Sequence, residues 1–303
     1  MKKILLIGLS LLLCFSLISC KKDEESKSPT NEGQFNKDSM KILAVGNSFT
    51  ANAVTYLYSI LEGFGVEEII IGNMYIGATD LNDHRYYAEH QLTTYLYRKN
   101  NSNLDSKGMF VEKNYISLDY AVNNEEWDLI VFPSVRSLSC IYEDRYNEDD
   151  INYLLDYFEQ CCPNVPIYWY MTWAYQSDYV NEPFASINCD QLKMYEIMTS
   201  IVQKKIVPNE RLAGILPVGT AIQNARTSYI GDNFTKDGYH LNPTGEYLAG
   251  LTWVLGITKW SIDDFDTSSV PVTLRSNFHV LYEAAINALN NPFVITESNY
   301  KEK

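Results

Sequence analysis

The sequence predicts an α/β fold, a three-layer α/β/α sandwich around a mostly parallel five-stranded sheet. Short apolar runs of strand length alternate with longer amphipathic stretches. That alternation implies βαβ units, with helices over both faces of a parallel sheet. Several of the apolar runs also stop at a glycine or proline, as strands entering loops do.

In order along the chain, residues 42–45 read as a strand that breaks at Gly46. A helix follows over 51–63, with Ala53, Leu57, Ile60 and Leu61 at helical spacing. Residues 67–71 form the second strand, and 127–132, closed by Pro133, the third. Residues 146–161 are helical, with Ile151, Leu154, Leu155 and Phe158 on one face. A strand at 165–171, a helix at 190–206 and a fifth strand at 212–216 follow, the last closed by Pro217 and Gly219. The helix at 243–255 begins with Pro243, a residue suited to a first helical turn. Residues 83–120 are less regular, with 109–120 readable as an inserted hairpin, and a helix at 278–289 caps the domain.

The chain has 303 residues, with 24 Lys and Arg against 38 Asp and Glu, a net charge of −14. Affinity for a phosphate backbone comes from basic side chains, so nucleic acid is not an expected partner. Met1-Lys2-Lys3 followed by the apolar run 4–18 has the form of a signal peptide and is short for a membrane span. It ends in Leu17-Ile18-Ser19-Cys20, which resembles the lipobox of bacterial lipoproteins. The resemblance implies cleavage before Cys20, lipid attachment to its thiol, and a place in the cell envelope at the outer membrane. Asp23-Glu24-Glu25 is reminiscent of a surface-export signal, with a solvated linker as the plain alternative. The expected organisation is a signal peptide at 1–19, a polar tether at 20–38 and a domain at 39–303 with a C-terminal helical extension. Cys140, Cys161, Cys162 and Cys189 read as buried thiols or as a source of one structural disulfide, with pairing unreadable from sequence.

Two segments carry the chemistry. Gly46-Asn47-Ser48-Phe49 presents a serine where a strand turns into a helix, and Asp237-Gly238-Tyr239-His240 supplies a carboxylate and an imidazole on one loop. Serine is a weak nucleophile that needs an adjacent base, and a carboxylate can hold that base in one tautomer. Taken alone, Ser48 reads equally well as a helix N-cap. In a parallel sheet, ligands sit beyond the carboxyl ends of the strands. Ser48, Gly77, the 133–139 loop and the loop before Asp237 all fall at that edge.

These segments resemble the first and last conserved blocks of the SGNH, or GDSL-type, hydrolase superfamily. They are most similar to a branch found in bacterial lipoproteins and labelled a domain of unknown function. The resemblance spans about residues 41–258, and its more specific half is Asp237-Gly-Tyr-His240 followed by Leu-Asn-Pro-Thr-Gly245. It implies a flavodoxin-like sheet, Ser48 as nucleophile, His240 as general base and then acid, and Asp237 as the group that orients it. Gly77, in Tyr75-Ile-Gly77-Ala, matches the block whose glycine N–H joins that of Ser48 in the oxyanion hole. The superfamily's third block carries an Asn, whereas this chain has Pro133-Ser134-Val-Arg136-Ser137. Ser134, Arg136 and Ser137 are the candidate replacements, and loss of one donor lowers a rate by roughly 10²–10³.

Further candidates for binding substrate are His84, Arg136, Trp173 and Tyr175. His84 follows Gly77 and could line the entrance or belong to a solvated loop. Trp173 and Tyr175 lie just past a strand, where aromatic rings either stack on sugars or pack in the core. No metal-ligand spacing or phosphate loop is present, and no cofactor is expected. The sequence reads as a serine esterase of acyl, chiefly acetyl, esters on a glycan. The alternative is a surface glycan-binding lipoprotein that has lost catalysis.

Overall fold

The computed structural model describes residues 35–101, 110–132, 135, 136 and 139–302. Cys20, the expected signal peptide and Pro133, Ser134 and Ser137 lie outside the described residues, as does most of the expected tether. Of the tether, 35–38 is described, and there the carbonyls of Lys37 and Asp38 accept hydrogen bonds from the Glu67 and Glu68 amides.

The sheet has seven strands: β1 (Ser39–Gly46), β2 (Glu68–Tyr75), β3 (Tyr95–Asn101), β4 (Phe110–Ile116), β5 (Leu129–Phe132), β6 (Ile167–Tyr170) and β7 (Gly214–Leu216). Their order is β4-β3-β2-β1-β5-β6-β7. The pairings from β2 through β1, β5 and β6 to β7 are parallel, which gives the five strands expected. The correction is at the edge, where β3 and β4 add antiparallel and extend the sheet. The expected hairpin at 109–120 is therefore only one arm of this pair. Its partner arm, Tyr95-Leu-Tyr-Arg-Lys, buries every second residue, Tyr95, Tyr97 and Lys99, as a strand with one covered face does.

The helices are α1 (Ser48–Val54), α2 (Leu57–Gly63), α3 (Leu81–Glu89), α4 (Leu118–Val122), α5 (Glu148–Cys161), α6 (Glu182–Ala185), α7 (Gln191–Lys205), α8 (Val218–Arg226), α9 (Pro243–Thr258) and α10 (Phe278–Asn290). Helices α1, α2, α8, α9 and α10 pack together, and α3, α4 and α5 form a second group. The single helix expected over 51–63 is two, because the chain leaves helical geometry at Tyr56. Helices α3 and α8 were not expected. Helix α3 carries few apolar residues, and α8 starts directly after Pro217, where the sequence reads as the end of a strand.

Helix α9 is buried on nearly every side, so its apolar residues show no single stripe. It starts cleanly because the Asn242 side chain accepts from the Thr244 and Gly245 amides at 3.0 and 3.1 Å, with Pro243 in the first turn. Helix α5 is capped by Asn147 and has Glu148, Asp149 and Asp150 in its first turn, where negative charge favours the helix dipole. Its apolar face meets the sheet through Phe158, whose ring stands edge-on to Phe132 at 6.0 Å, and Phe132 stacks on Trp169 at 5.5 Å. Phe158 is fully buried. Phe158→Ala is expected to lower unfolding free energy by about 3–5 kcal/mol. Urea unfolding checks this, and a loss below about 1 kcal/mol would show that the site collapses around the missing ring.

Candidate active site

Strand β1 ends at Gly46, where a Cβ would lie 2.1 Å from the Thr50 hydroxyl. Only glycine lets the chain turn this tightly into α1. Asn47 is the N-cap, its side-chain oxygen accepting from the Phe49 amide at 3.0 Å and its Nδ2 donating to the Thr79 carbonyl at 3.1 Å. The N-cap is thus Asn47, which leaves Ser48 at the first helical position with its hydroxyl available. An N–H at this position has no partner within the helix.

That hydroxyl lies 2.9 Å from His240 Nε2, and His240 Nδ1 lies 2.7 Å from Asp237 Oδ2. The other Asp237 oxygen accepts from the His240 amide at 2.7 Å and the Tyr239 amide at 3.2 Å. Burial pushes the Asp237 carboxyl up, but the hydrogen bonds from the His240 ring and these two amides outweigh it and hold the carboxyl below its ordinary value. Asp237 therefore stays a carboxylate that fixes the imidazole with Nδ1–H toward it and Nε2 toward Ser48. Residues expected from sequence to act together are brought together, across 192 positions of chain.

The acid–base loop is held by its surroundings. Gly238 has φ +94°, and a Cβ there would meet the Tyr179 ring at 2.3 Å, so two separate restrictions require glycine. The Gly238 carbonyl accepts from the Gln176 amide at 2.7 Å, and the Tyr239 carbonyl from the Trp173 indole at 2.7 Å. Beneath the loop, Arg226 is buried, with Nε 2.7 Å from Asp232 Oδ1 and Nη2 donating to the Ala174 carbonyl at 3.0 Å. Burial lowers the Arg226 guanidinium to about 10, with Asp232 pulling the other way. Burial raises the Asp232 carboxyl, but Arg226 and hydrogen bonds from Ser177 and Gln191 carry it below its ordinary value.

Asn52, one turn after Ser48, joins the two halves of the site. Its Oδ1 accepts from the Leu241 amide at 3.2 Å, and its Nδ2 donates to Glu246 Oε1 at 2.8 Å. The helix that carries Ser48 is thus tied to the residue after His240 and to α9. Its signal in the sequence is the four-residue spacing from Ser48, which puts both on one helix face.

A cleft of about 450 Å³ opens over Ser48 and His240. Gly77 and Arg136, both singled out from sequence, line it. Ala78 follows Gly77 with φ +59°, an unusual conformation for a residue with a Cβ and a frequent mark of functional loops. Tyr75, Tyr179 and Tyr239 supply aromatic walls, with Asn181 and Pro183 beside them. None of these five was singled out as a binding residue from sequence: Tyr75 and Tyr239 stand inside the two quoted blocks but are not the residues whose chemistry marks them, and Tyr179, Asn181 and Pro183 lie in ordinary loop sequence.

Three expected binding residues are elsewhere. His84 is fully buried on the inner face of α3, its ring between the Thr79 hydroxyl at 3.0 Å and the Tyr95 hydroxyl at 2.8 Å. Burial lowers it to about 3, so it is a neutral core residue. Trp173 is buried and stacks on Phe49 at 4.3 Å. Tyr175 is buried edge-on to Tyr179 and Phe184, both at 5.4 Å. Both rings support the loop from below rather than meeting a ligand. Cys140, Cys161, Cys162 and Cys189 are free thiols, Cys140 and Cys162 buried and the other two half-buried, which is the thiol reading and not the disulfide alternative.

Asp232→Asn leaves buried Arg226 without its counter-charge and is expected to remove about 3–5 kcal/mol of stability at pH 7. The folded pKa of Asp232 lies below its unfolded value, so its contribution is present above about pH 4 and disappears as pH falls through the folded value. Urea unfolding should therefore show parent and variant converging toward pH 3, and a gap of equal size at pH 7 and pH 3 would refute the pairing. Asn52→Ala is expected to slow labelling of Ser48 by a fluorophosphonate about 10- to 100-fold. Asn52→Asp combined with Glu246→Gln keeps the acceptor for the Leu241 amide and reverses the bond to position 246, whose new amide donates to the carboxylate at 52, so it should recover most of that rate, and a double variant as slow as Asn52→Ala would contradict the clamp.

The model of the family described as a domain of unknown function, DUF4886, matches residues 41–285. A DUF4886 family protein from Bacteroides uniformis, known from a crystal structure, is 32% identical, with 86% of this chain and 98% of that chain covered and a TM-score of 0.75. A Parabacteroides merdae protein described as a GDSL-like lipase is 15% identical over 74% of this chain and 97% of its own, with a TM-score of 0.45. No curated protein matches the sequence. The branch of unknown function that the serine and histidine blocks resemble is thereby given its place, and the chain belongs to the DUF4886 family.

Proposed function

We propose that the protein is a serine-dependent ester hydrolase. The observation that carries this reading is the continuous hydrogen-bonded relay from Ser48 through His240 to Asp237 at the floor of an open cleft. His240 Nε2 takes the Ser48 proton as Oγ attacks the acyl carbon. The tetrahedral oxyanion then lies against the N–H groups of Ser48 and Gly77, donors of a kind worth roughly 3–4 kcal/mol each. On collapse the ester C–O bond breaks, and the departing alcohol takes the proton from His240. Water enters, gives a proton to the same nitrogen and attacks the acyl-enzyme; on collapse the bond to Ser48 Oγ breaks, His240 returns that proton to Oγ, and the acid departs.

The finer reading is removal of acetyl or similar small acyl groups from a glycan by a lipoprotein anchored through Cys20 at the bacterial outer membrane. Its support is the lipobox-like Leu17-Ile18-Ser19-Cys20, the family resemblance and the tyrosine walls of the cleft, since aromatic faces suit sugar rings. Acetate release from a panel of O-acetylated glycans tests the substrate, and no release from any of them would overturn it.

Intact mass after exposure to a fluorophosphonate tests the reaction class. One adduct is expected on the parent and none on Ser48→Ala. Asp237→Asn should cut the labelling rate by up to about 10⁴-fold, because the amide favours the wrong imidazole tautomer. An unlabelled but folded parent would show that Ser48 is not activated.

A further inference from the structure

The cleft combines apolar and aromatic walls with the guanidinium of Arg136. Among the described residues that line it there is no carboxylate, although the chain as a whole carries a net charge of −14. The residue is held from both ends. Its amide donates to Asp80 Oδ1 at 2.8 Å, its Nη2 lies 3.5 Å from Asp80 Oδ2, and its Nε donates to Ser139 Oγ at 3.4 Å. Ser139 in turn donates to Asp80 Oδ2 at 2.9 Å. These contacts occupy the Nε–Nη2 edge of the guanidinium and leave its Nη1–Nη2 end facing no partner among the described residues.

Asp80 is 3% exposed, whereas the Arg136 side chain is 36% exposed. The carboxylate is therefore behind the guanidinium, its charge spread over an amide, a hydroxyl and the guanidinium itself. A ligand in the cleft meets the cation first. A planar fork of donors pinned along one edge is suited to accept a carboxylate on its other edge, with little side-chain freedom left to lose.

We propose that the cleft selects esters whose alcohol portion carries a carboxylate, which Arg136 binds while Ser48 attacks the acyl group. The proposal rests on the ester-hydrolase reading, in which the acyl group is small, so the anion belongs to the alcohol portion. It assigns Arg136 to substrate selection rather than to the oxyanion.

The test compares hydrolysis of 4-acetoxybenzoate with that of its methyl ester, two aryl acetates that differ in one negative charge. The parent should prefer the anion in kcat/KM by about 10- to 100-fold, the range for a hydrogen bond to a charged group. Arg136→Gln should abolish that preference through KM, and Arg136→Lys, which keeps a charge beside Asp80, should keep part of it. Raising ionic strength from 50 to 500 mM should shrink the parent's preference and needs no variant. An equal fall in kcat for both esters in Arg136→Gln would overturn the proposal by placing Arg136 on the oxyanion. Equal kcat/KM for the two esters in the parent would overturn it outright.

If neither ester is hydrolysed, the ester-hydrolase reading is what fails for these substrates, and calorimetric binding of 4-acetamidobenzoate and its methyl ester separates the two questions. Tighter binding of the anion by the parent, lost in Arg136→Gln, still supports the anion site. Equal or undetectable binding of both overturns it.

Discussion

The site depends on keeping a hydrogen bond of 2.9 Å between two groups carried on separate parts of the fold. Ser48 is positioned by β1 and α1, and His240 by the loop that enters α9. Each half is rigid for its own reason. The serine side is fixed by the tight turn at Gly46 and the Asn47 cap, and the histidine side by Gly238, Tyr179 and the Trp173 indole. Local rigidity alone leaves the gap between the halves open. It is closed by Asn52, which bonds to both the Leu241 amide and Glu246, and by the packing of α1 on α9.

The aromatic residues around the loop show how burial and function divide. Phe49, Trp173, Tyr175, Tyr179 and Tyr239 form a continuous stack. Its lower members are buried and its upper members, Tyr179 and Tyr239, line the cleft. The Tyr239 ring also lies 4.1 Å from the His240 ring. The His240 imidazole is thus seated on the top of a core column. Arg226 and Asp232 do the corresponding polar work one layer below, joining the segment before α9 to that after β6.

Much of this was legible in the sequence, for identifiable reasons. The five parallel strands are continuous apolar runs, and such runs are read directly. The grouping of Ser48, His240 and Asp237 was legible because such a relay admits few residue types and the spacing of its two blocks is short. What was not legible depends on which side of a strand end the chain emerges. Trp173 and Tyr175 follow β6, where sequence distance alone leaves a cleft and a core position equally open, and both turn inward under the loop. His84 looked solvated because its neighbours Asn82, Asp83 and Arg85 are polar, but helix α3 turns it toward Tyr95. The edge pair β3 and β4 carries Lys, Arg and Asn among its apolar residues, so no apolar run announced it.

Gly238 has a consequence for how such proteins diverge. It lies between the acid and the base, in a conformation closed to other residues, with Tyr179 against the space a side chain would fill. A single nucleotide change at this codon therefore displaces the imidazole and the Tyr179 wall together, while Tyr75, Gly77 and Arg136, carried on other segments, keep their places in the cleft. On the proposed reading, a descendant that keeps the fold and this part of the pocket need not keep the reaction.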